Sequence, residues 1–346
     1  MERYYFDANA TAPPLPKVME VVGRTLAETW ANPTSTHREG QRARHLLEEA
    51  RRAVAASLGA EPGQIVFCAS ATEALFLLLR GLRPALGERP ALVFPGEHSA
   101  CLNPLRDWTD LHWLDAPAPI GTGLVVQMAA NNETGRLYPM PQVAGAVRVM
   151  DAAQAWGKVP VRLDCDAAVF SGHKIGGPRG VAVLYLGNGL PWTAVLEGPQ
   201  ECRRRGGTED LPAILGLEAA VRALPERIQA NQALAPLRDA LEAEVLGWSP
   251  EYQAVGRDQP RLPNTSCLVL RGHRGEAVQI ALDLAGFAVS TGSACHSGAT
   301  RPSHALLALG YSEAEARSAI RISLLPQTPE SAVAALVAAL KGVLKR

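Results

Sequence analysis

Apolar positions recur along this chain with two periods. Over 15–30, Val18, Val21, Val22 and Leu26 fall at helical spacing. Arg38–Leu58 forms a second, strongly amphipathic helical pattern with many charges on one face, stopped by Gly59. Short apolar runs then alternate with helical ones. Ile65–Cys68 reads as a strand followed by an apolar helix to about residue 80. Further strands are expected at 91–94, 124–130, 147–150, 161–170 and 181–186. Residues 211–246 are helical, with a break near Pro225, and read as a bridge between domains. Thr265–Leu270, 288–290 and 320–323 read as strands of a smaller α+β domain, and residues 4–14 start extended and break at Pro13-Pro14.

Strands that alternate with helices predict an α/β fold with a mostly parallel sheet, in which ligands bind beyond the carboxyl ends of the strands. Polar clusters fall at those ends here. Ser70-Ala71-Thr72-Glu73 follows the first strand and opens a helix, where free N–H groups and the helix dipole favour an anion; Ser70 and Thr72 also suit plain N-caps. Glu97-His98 follows the second strand, and Asn131-Asn132-Glu133-Thr134-Gly135 the third. Asp151 closes the fourth, where a buried carboxylate could face a pyridine nitrogen or cap a helix. Ser171-Gly172-His173-Lys174 closes the next, before a glycine-rich turn.

The chain has five lysines, and Lys174 alone stands between hydrogen-bonding neighbours and such a turn; Lys17 and Lys158 sit in ordinary polar settings, and Lys341 and Lys345 lie in the last helix. Lys174 is either a solvated turn residue or a lysine able to form a Schiff base with a carbonyl compound, of which pyridoxal phosphate is the commonest biological example. The basic loop around Arg203-Arg204-Arg205 is either a solvated charge run or a means of bringing Arg205 and Thr208 to a phosphate.

Length bounds the chain at two or three domains, since 346 residues exceed one small core. A formal net charge of zero gives no reason to expect nucleic acid or an anionic membrane as partner. The N-terminus lacks a basic-plus-apolar signal region and no apolar run approaches the ~20 residues of a membrane span, so a cytoplasmic protein is expected. The six cysteines are scattered without a C-x-x-C pair, which argues against a disulfide framework and a zinc site. Cys68, Cys165 and Cys267 lie in apolar or strand-like surroundings and read as packing residues. Cys295 stands near the centre of a small, polar loop with His296 beside it, a setting that suits a reactive thiol.

These residues in this order resemble the cysteine desulfurases, the NifS/IscS-like branch of the class V aminotransferase-fold enzymes. The matching segments run almost end to end: Asp7-Ala8-Asn9-Ala10-Thr11, Asn32-Pro33-Thr34-Ser35-Thr36-His37, Ser70-Ala71-Thr72-Glu73, Glu97-His98, Asn131 to Gly135, Asp151-x-x-Gln154-x-x-Gly157-Lys158, Ser171 to Lys174, Arg205-Gly206-Gly207-Thr208 and Thr291-Gly292-Ser293-Ala294-Cys295.

The resemblance implies a PLP-dependent transferase of fold type I, like aspartate aminotransferase. It implies a large PLP-binding domain over 15–235. A small C-terminal domain over 236–346, joined by 1–14, would carry the cysteine loop. The cofactor would be pyridoxal 5′-phosphate, with no metal. Lys174 would hold it and move protons at the substrate Cα, and His98 would stack on its ring. Asp151 would pair with the ring nitrogen and Gln154 with the phenolic oxygen. Ala71, Thr72, Ser171 and His173 would surround the phosphate, with Thr208 reaching it from the partner subunit of a homodimer. Asn132, Arg321 and Asn32 would place the substrate, L-cysteine. Cys295 would be the nucleophile that keeps its sulfur as a persulfide for a sulfur-acceptor or iron–sulfur scaffold protein.

The chain departs from that pattern in places. It is much shorter between His98 and Asn131, where it is expected to lack a helix-containing crossover, and it is trimmed between Gly135 and Asp151. Gly206 stands where serine is common, Cys202-Arg203-Arg204 is unusual, and Ala8 replaces a usual asparagine. Other readings of the same fold are a selenocysteine lyase or another PLP lyase or aminotransferase. A non-catalytic scaffold in a sulfur-transfer complex is a reading from a different class.

Overall fold

The computed structural model describes residues 3–291 and 302–345. The chain divides into two compact units: residues 12–129 with 138–225, and residues 1–11 with 130–137 and 226–346. The last boundary, at 225/226, falls inside the 211–246 helical stretch, which is three helices, Leu211–Arg222, Leu224–Gln232 and Ala235–Leu246.

The larger unit is built on a seven-stranded sheet. Its spatial order is Ile65–Cys68, Ala182–Leu186, Ala167–Ser171, Val147–Asp151, Leu124–Met128, Ala91–Val93 and Leu111–Trp113. Only Ala182–Leu186 runs against its neighbours. Every residue of Leu124–Met128, Ala167–Ser171 and Ala182–Leu186 is buried, which is why these segments read as continuous apolar runs rather than alternating ones. One core on this unit packs Val54, Phe67, Phe170, Val183 and Leu217; the other packs Leu75, Leu78, Leu82, Val126 and Leu184.

Three expectations are corrected here. The helix opened by Ser70 runs to Leu86, not to about residue 80. Leu78, Leu82 and Leu86 continue its buried face, and Gly87, at φ 58°, stops it. The strand expected over 161–170 begins only at Ala167, because the Asp166 carboxylate accepts the Arg148 N–H at 2.8 Å just before it. The shortened stretch after His98 does contain a helix, the single turn Ser99–Leu102, followed by a 3₁₀ turn and the edge strand Leu111–Trp113. Three residues are too few for an alternation pattern to show, so that strand was not legible in the sequence.

The smaller unit carries a four-stranded antiparallel sheet, ordered Ser290–Thr291, Ala319–Ser323, Thr265–Leu270 and Tyr252–Ala254. Tyr4–Tyr5 pairs in parallel with Phe287–Ala288. Its core gathers Phe6, Leu241, Leu268, Ile320 and Leu336, with the terminal helix Glu330–Leu344 packed over it.

Candidate active site

In the larger unit the candidate residues line one edge of the sheet, as the carboxyl-end rule requires. Asp151 and Ser171 are the last residues of adjacent parallel strands, and in that ladder Asp151 pairs with Met128 on one side and Val169 on the other. Asp151 is 7% exposed. Its Oδ1 accepts the Ala153 N–H at 2.9 Å, so it caps a tight turn rather than an α-helix.

The chain after Ser171 makes one 3₁₀ turn, Gly172–Lys174, which presents His173 and Lys174 half-buried. The glycines make this turn possible. Gly176 has φ +81° and a Cβ there would sit 2.9 Å from Leu15 Cγ. The Ala12 N–H donates to the His173 carbonyl at 3.0 Å and the Leu15 N–H to the Gly176 carbonyl at 2.9 Å, which holds the turn from above. Burial, with Lys174 and Arg179 nearby, lowers the His173 pKa to about 4. His173 is therefore a neutral ring near pH 7, a hydrogen-bonding group rather than a charge.

Ser70 is the N-cap of its helix: its hydroxyl accepts the Glu73 N–H at 3.1 Å, and Glu73 returns to the Ala69 N–H at 2.6 Å. Ala71 and Thr72 follow in the first turn, Thr72 exposed. Arg205 donates to Glu73 at 2.9 Å, so the guanidinium considered for a phosphate is held by a carboxylate at that same helix start. Thr208 is exposed. Asn32 is also exposed, and its Oδ1 accepts from the backbone N–H and the hydroxyl of Thr34, organising its own loop.

His98 ends the loop after Ala91–Val93, and its Nδ1 accepts the Ala100 N–H at 3.1 Å, which leaves the proton of the neutral ring on Nε2. Gln154 is buried, and its Oε1 takes a hydrogen bond from Lys158 Nζ at 2.6 Å.

In the smaller unit Arg321, 4% exposed, donates through Nη2 to Asp7 Oδ1 at 2.6 Å and through Nη1 to the Asn132 carbonyl at 3.1 Å. Its buried Nε has no hydrogen-bond partner among the described residues. Asn9 ties the same carbonyl of Asn132 to the Thr265 hydroxyl. Cys295 lies outside the described residues.

Comparison with known proteins decides the family. Residues 4–336 match the family described as Aminotransferase class-V. The chain belongs to the class-V aminotransferase family. A cysteine desulfurase of Cereibacter sphaeroides is 36% identical over 355 residues, covering 94% of this chain and 91% of that protein. A solved NifS-like protein superposes with a TM-score of 0.90 at 29% identity, covering 99% of both chains. The structure of SspA in complex with cysteine gives a TM-score of 0.77 at 29% identity, over 94% of this chain and 99% of that one. The class-V fold, with its mostly parallel sheet, is the α/β fold expected from the sequence.

Class-V aminotransferases of the desulfurase kind work with pyridoxal 5′-phosphate. Four further polar residues to which the sequence assigned no role are held in place, Glu97 and Lys158 in the larger unit and Asp7 and Glu133 in the smaller. Glu97 is fully buried, accepts the Met128 N–H and takes a hydrogen bond from the buried Cys101 thiol. Burial, reinforced by the charge of Asp151, pushes its pKa well above the usual carboxylate value. Asp7 holds Arg321. Glu133 is buried, bonds the Ser303 hydroxyl, and has its pKa raised to about 7 by burial. Lys158, taken from sequence for an ordinary polar lysine, is 2% exposed. The i, i+4 spacing of Gln154 and Lys158 was the available signal for that contact.

Proposed function

We propose that this protein is a PLP-dependent cysteine desulfurase that converts L-cysteine to L-alanine and retains the sulfur on Cys295. The observation that carries the reading is the buried Asp151 carboxylate, one strand from the Ser171–Lys174 turn, in a chain similar along its length to cysteine desulfurases.

The residues fit the cofactor by their chemistry. A buried carboxylate suits a protonated ring nitrogen, a half-buried lysine suits a carbonyl, and a neutral His173 with Ser171 and the N-terminus of Ala71–Leu86 suits a phosphate. When bound, pyridoxal 5′-phosphate supplies an electron sink that acidifies the substrate Cα proton.

Asp151 would keep the ring nitrogen protonated, and Gln154 would donate to the phenolic oxygen. His98 would pack against the ring, and Asn132 would contribute to the cofactor and substrate contacts. Lys174 takes the proton from the substrate Cα and returns it. Arg321 would place the substrate carboxylate, and Asn32 would contribute from its loop. The Cys295 thiolate attacks the substrate sulfur: an S–S bond forms, the Cβ–S bond breaks, and Cβ gains a proton to become the methyl of alanine. An external thiol or a sulfur-acceptor protein, which includes iron–sulfur scaffolds, takes the outer sulfur of the persulfide, and the S–S bond breaks to return the Cys295 thiolate. Thr208 would complete the phosphate contacts from the partner subunit of a homodimer. No helix among the described residues is long and apolar enough to cross a membrane.

The test is alanine and sulfide release from L-cysteine in the presence of a reductant, for the intact protein and Cys295→Ala. Release by the intact protein and its loss in the variant supports the reading. An intact protein that takes up the cofactor and releases neither product overturns it.

A further inference from the structure

Lys158 is a buried cation that donates to a carboxamide. Its Nζ donates to Gln154 Oε1 at 2.6 Å, and both side chains are almost wholly enclosed. The local backbone makes this contact close to obligatory. The turn after Asp151 is fixed by the Ala155 and Trp156 N–H groups on the Ala152 carbonyl, and the Lys158 N–H returns to the Ala155 carbonyl at 3.0 Å. Trp156 anchors the turn in the core, edge-on to Phe170 with ring centroids 5.2 Å apart. Gly157, at φ +74°, reverses the chain where a Cβ would meet Ile175 Cγ2 at 2.8 Å, and so brings Lys158 back towards Gln154.

The chemistry of the pair then has one solution. An ammonium has three donors and no acceptor, so it bonds the oxygen of a carboxamide and never its nitrogen. The amide orientation of Gln154, which in an isolated glutamine is free to flip, is settled by Lys158: oxygen towards the ammonium, the NH₂ donors turned away from it. Enclosing an ammonium is costly, and an apolar side chain of the same length would fill the volume without that cost. One thing the lysine gives that such a chain cannot is a defined direction for Gln154.

We infer that Lys158 is a positioning residue that fixes Gln154 as a hydrogen-bond donor towards the phenolic oxygen of pyridoxal 5′-phosphate. The inference rests on the cofactor reading above. Lys158 touches neither cofactor nor substrate in this role and acts only through Gln154.

A double-mutant cycle on cofactor binding tests it. Apoprotein is titrated with pyridoxal 5′-phosphate, and both the Kd and the visible absorption of the bound cofactor are read for the intact protein, Lys158→Met, Gln154→Ala and the double variant. Lys158→Met is expected to weaken binding roughly tenfold and to move the absorption maximum, as loss of a charge-assisted hydrogen bond implies. In the Gln154→Ala background the same change is expected to have an effect of about twofold or less, because the intermediary is gone. Equal losses in both backgrounds would mean that Lys158 acts by general packing and overturn the inference. Lys158→Gln supplies a second arm, since it keeps a donor for the same oxygen. Retention of the native absorption supports the inference, and a spectrum and Kd equal to those of Lys158→Met overturn it. An intact protein that takes up no cofactor overturns the cofactor reading and this inference with it. Uptake by the intact protein with Lys158→Met unchanged overturns this inference alone.

Discussion

The Arg51 guanidinium lies in the Glu201 carboxylate as a buried two-point pair, at 2.7 and 2.9 Å. The same carboxylate accepts the Phe67 N–H at 2.7 Å, and Arg51 also reaches the Ile65 carbonyl, so one pair pins the 201–208 loop to the first strand of the sheet. Glu201→Gln is expected to cost about 3 kcal/mol, because it removes the buried carboxylate and leaves the enclosed Arg51 with only the half-exposed Glu48 as counter-charge. The midpoint of chemical denaturation reads this directly, and a variant within ~1 kcal/mol of the intact protein would contradict it.

Glu201, Cys202 and Arg203 all hold positive φ angles, at 47°, 57° and 65°. For residues with a Cβ each such conformation costs roughly 1–2 kcal/mol. Cys202 is exposed, so Cys202→Gly removes one of these costs and no buried contact. A modest gain in stability, no more than about 1 kcal/mol after the extra freedom of the unfolded chain is counted, is expected in thermal unfolding.

Asp151→Asn keeps the shape and the acceptor for the Ala153 N–H but removes the charge. Turnover of L-cysteine is expected to fall on the order of 10²-fold or more, with little change in melting temperature. An active Asp151→Asn protein would remove this carboxylate from the chemistry.

Arg321→Lys replaces a fork that spans Asp7 and the Asn132 carbonyl with a point charge. The KM for L-cysteine is expected to rise roughly 10–100-fold, while kcat changes less. A fall in kcat at unchanged KM would place Arg321 outside substrate binding.

Glu133 and His173 have opposite pH signatures. A carboxyl raised from 4.5 to about 7 keeps its proton in the folded chain after the unfolded chain has lost it. Its contribution is therefore full below pH 4.5 and lost as pH rises through about 7. His173, lowered from 6.5 to about 4, does the reverse: the unfolded chain binds the proton first, and stability falls as pH drops through that window. Glu133→Gln resembles the protonated acid and can still accept from Ser303. Unfolding free energies measured from pH 4.5 to 8 are expected to show the variant gaining on the intact protein as pH rises, by up to ~3 kcal/mol. Parallel curves would show that Glu133 does not titrate there.

By itself the sequence determined the alternation of strands and helices, the span of Arg38–Leu58 with its Gly59 stop, and the strand Thr265–Leu270. In each of these, local preference and burial pattern agree over enough residues to show. It also marked Asp151 and Lys174, because strand ends are where polar residues interrupt apolar runs, and the family resemblance added Gln154 and His173. Tertiary structure decided the rest. Leu111–Trp113 exists because a sheet edge was there to pair with, not because three residues prefer to be extended. Lys158 reads as solvated in one dimension and is enclosed in three, since the turn at Gly157 folds it inward. Asp7 and Arg321 are 314 residues apart, and the raised pKa of Glu97 comes from enclosure beside a second carboxylate. Neither depends on neighbours in the chain: burial and through-space charge are set by what the fold brings near, and a linear pattern does not contain them.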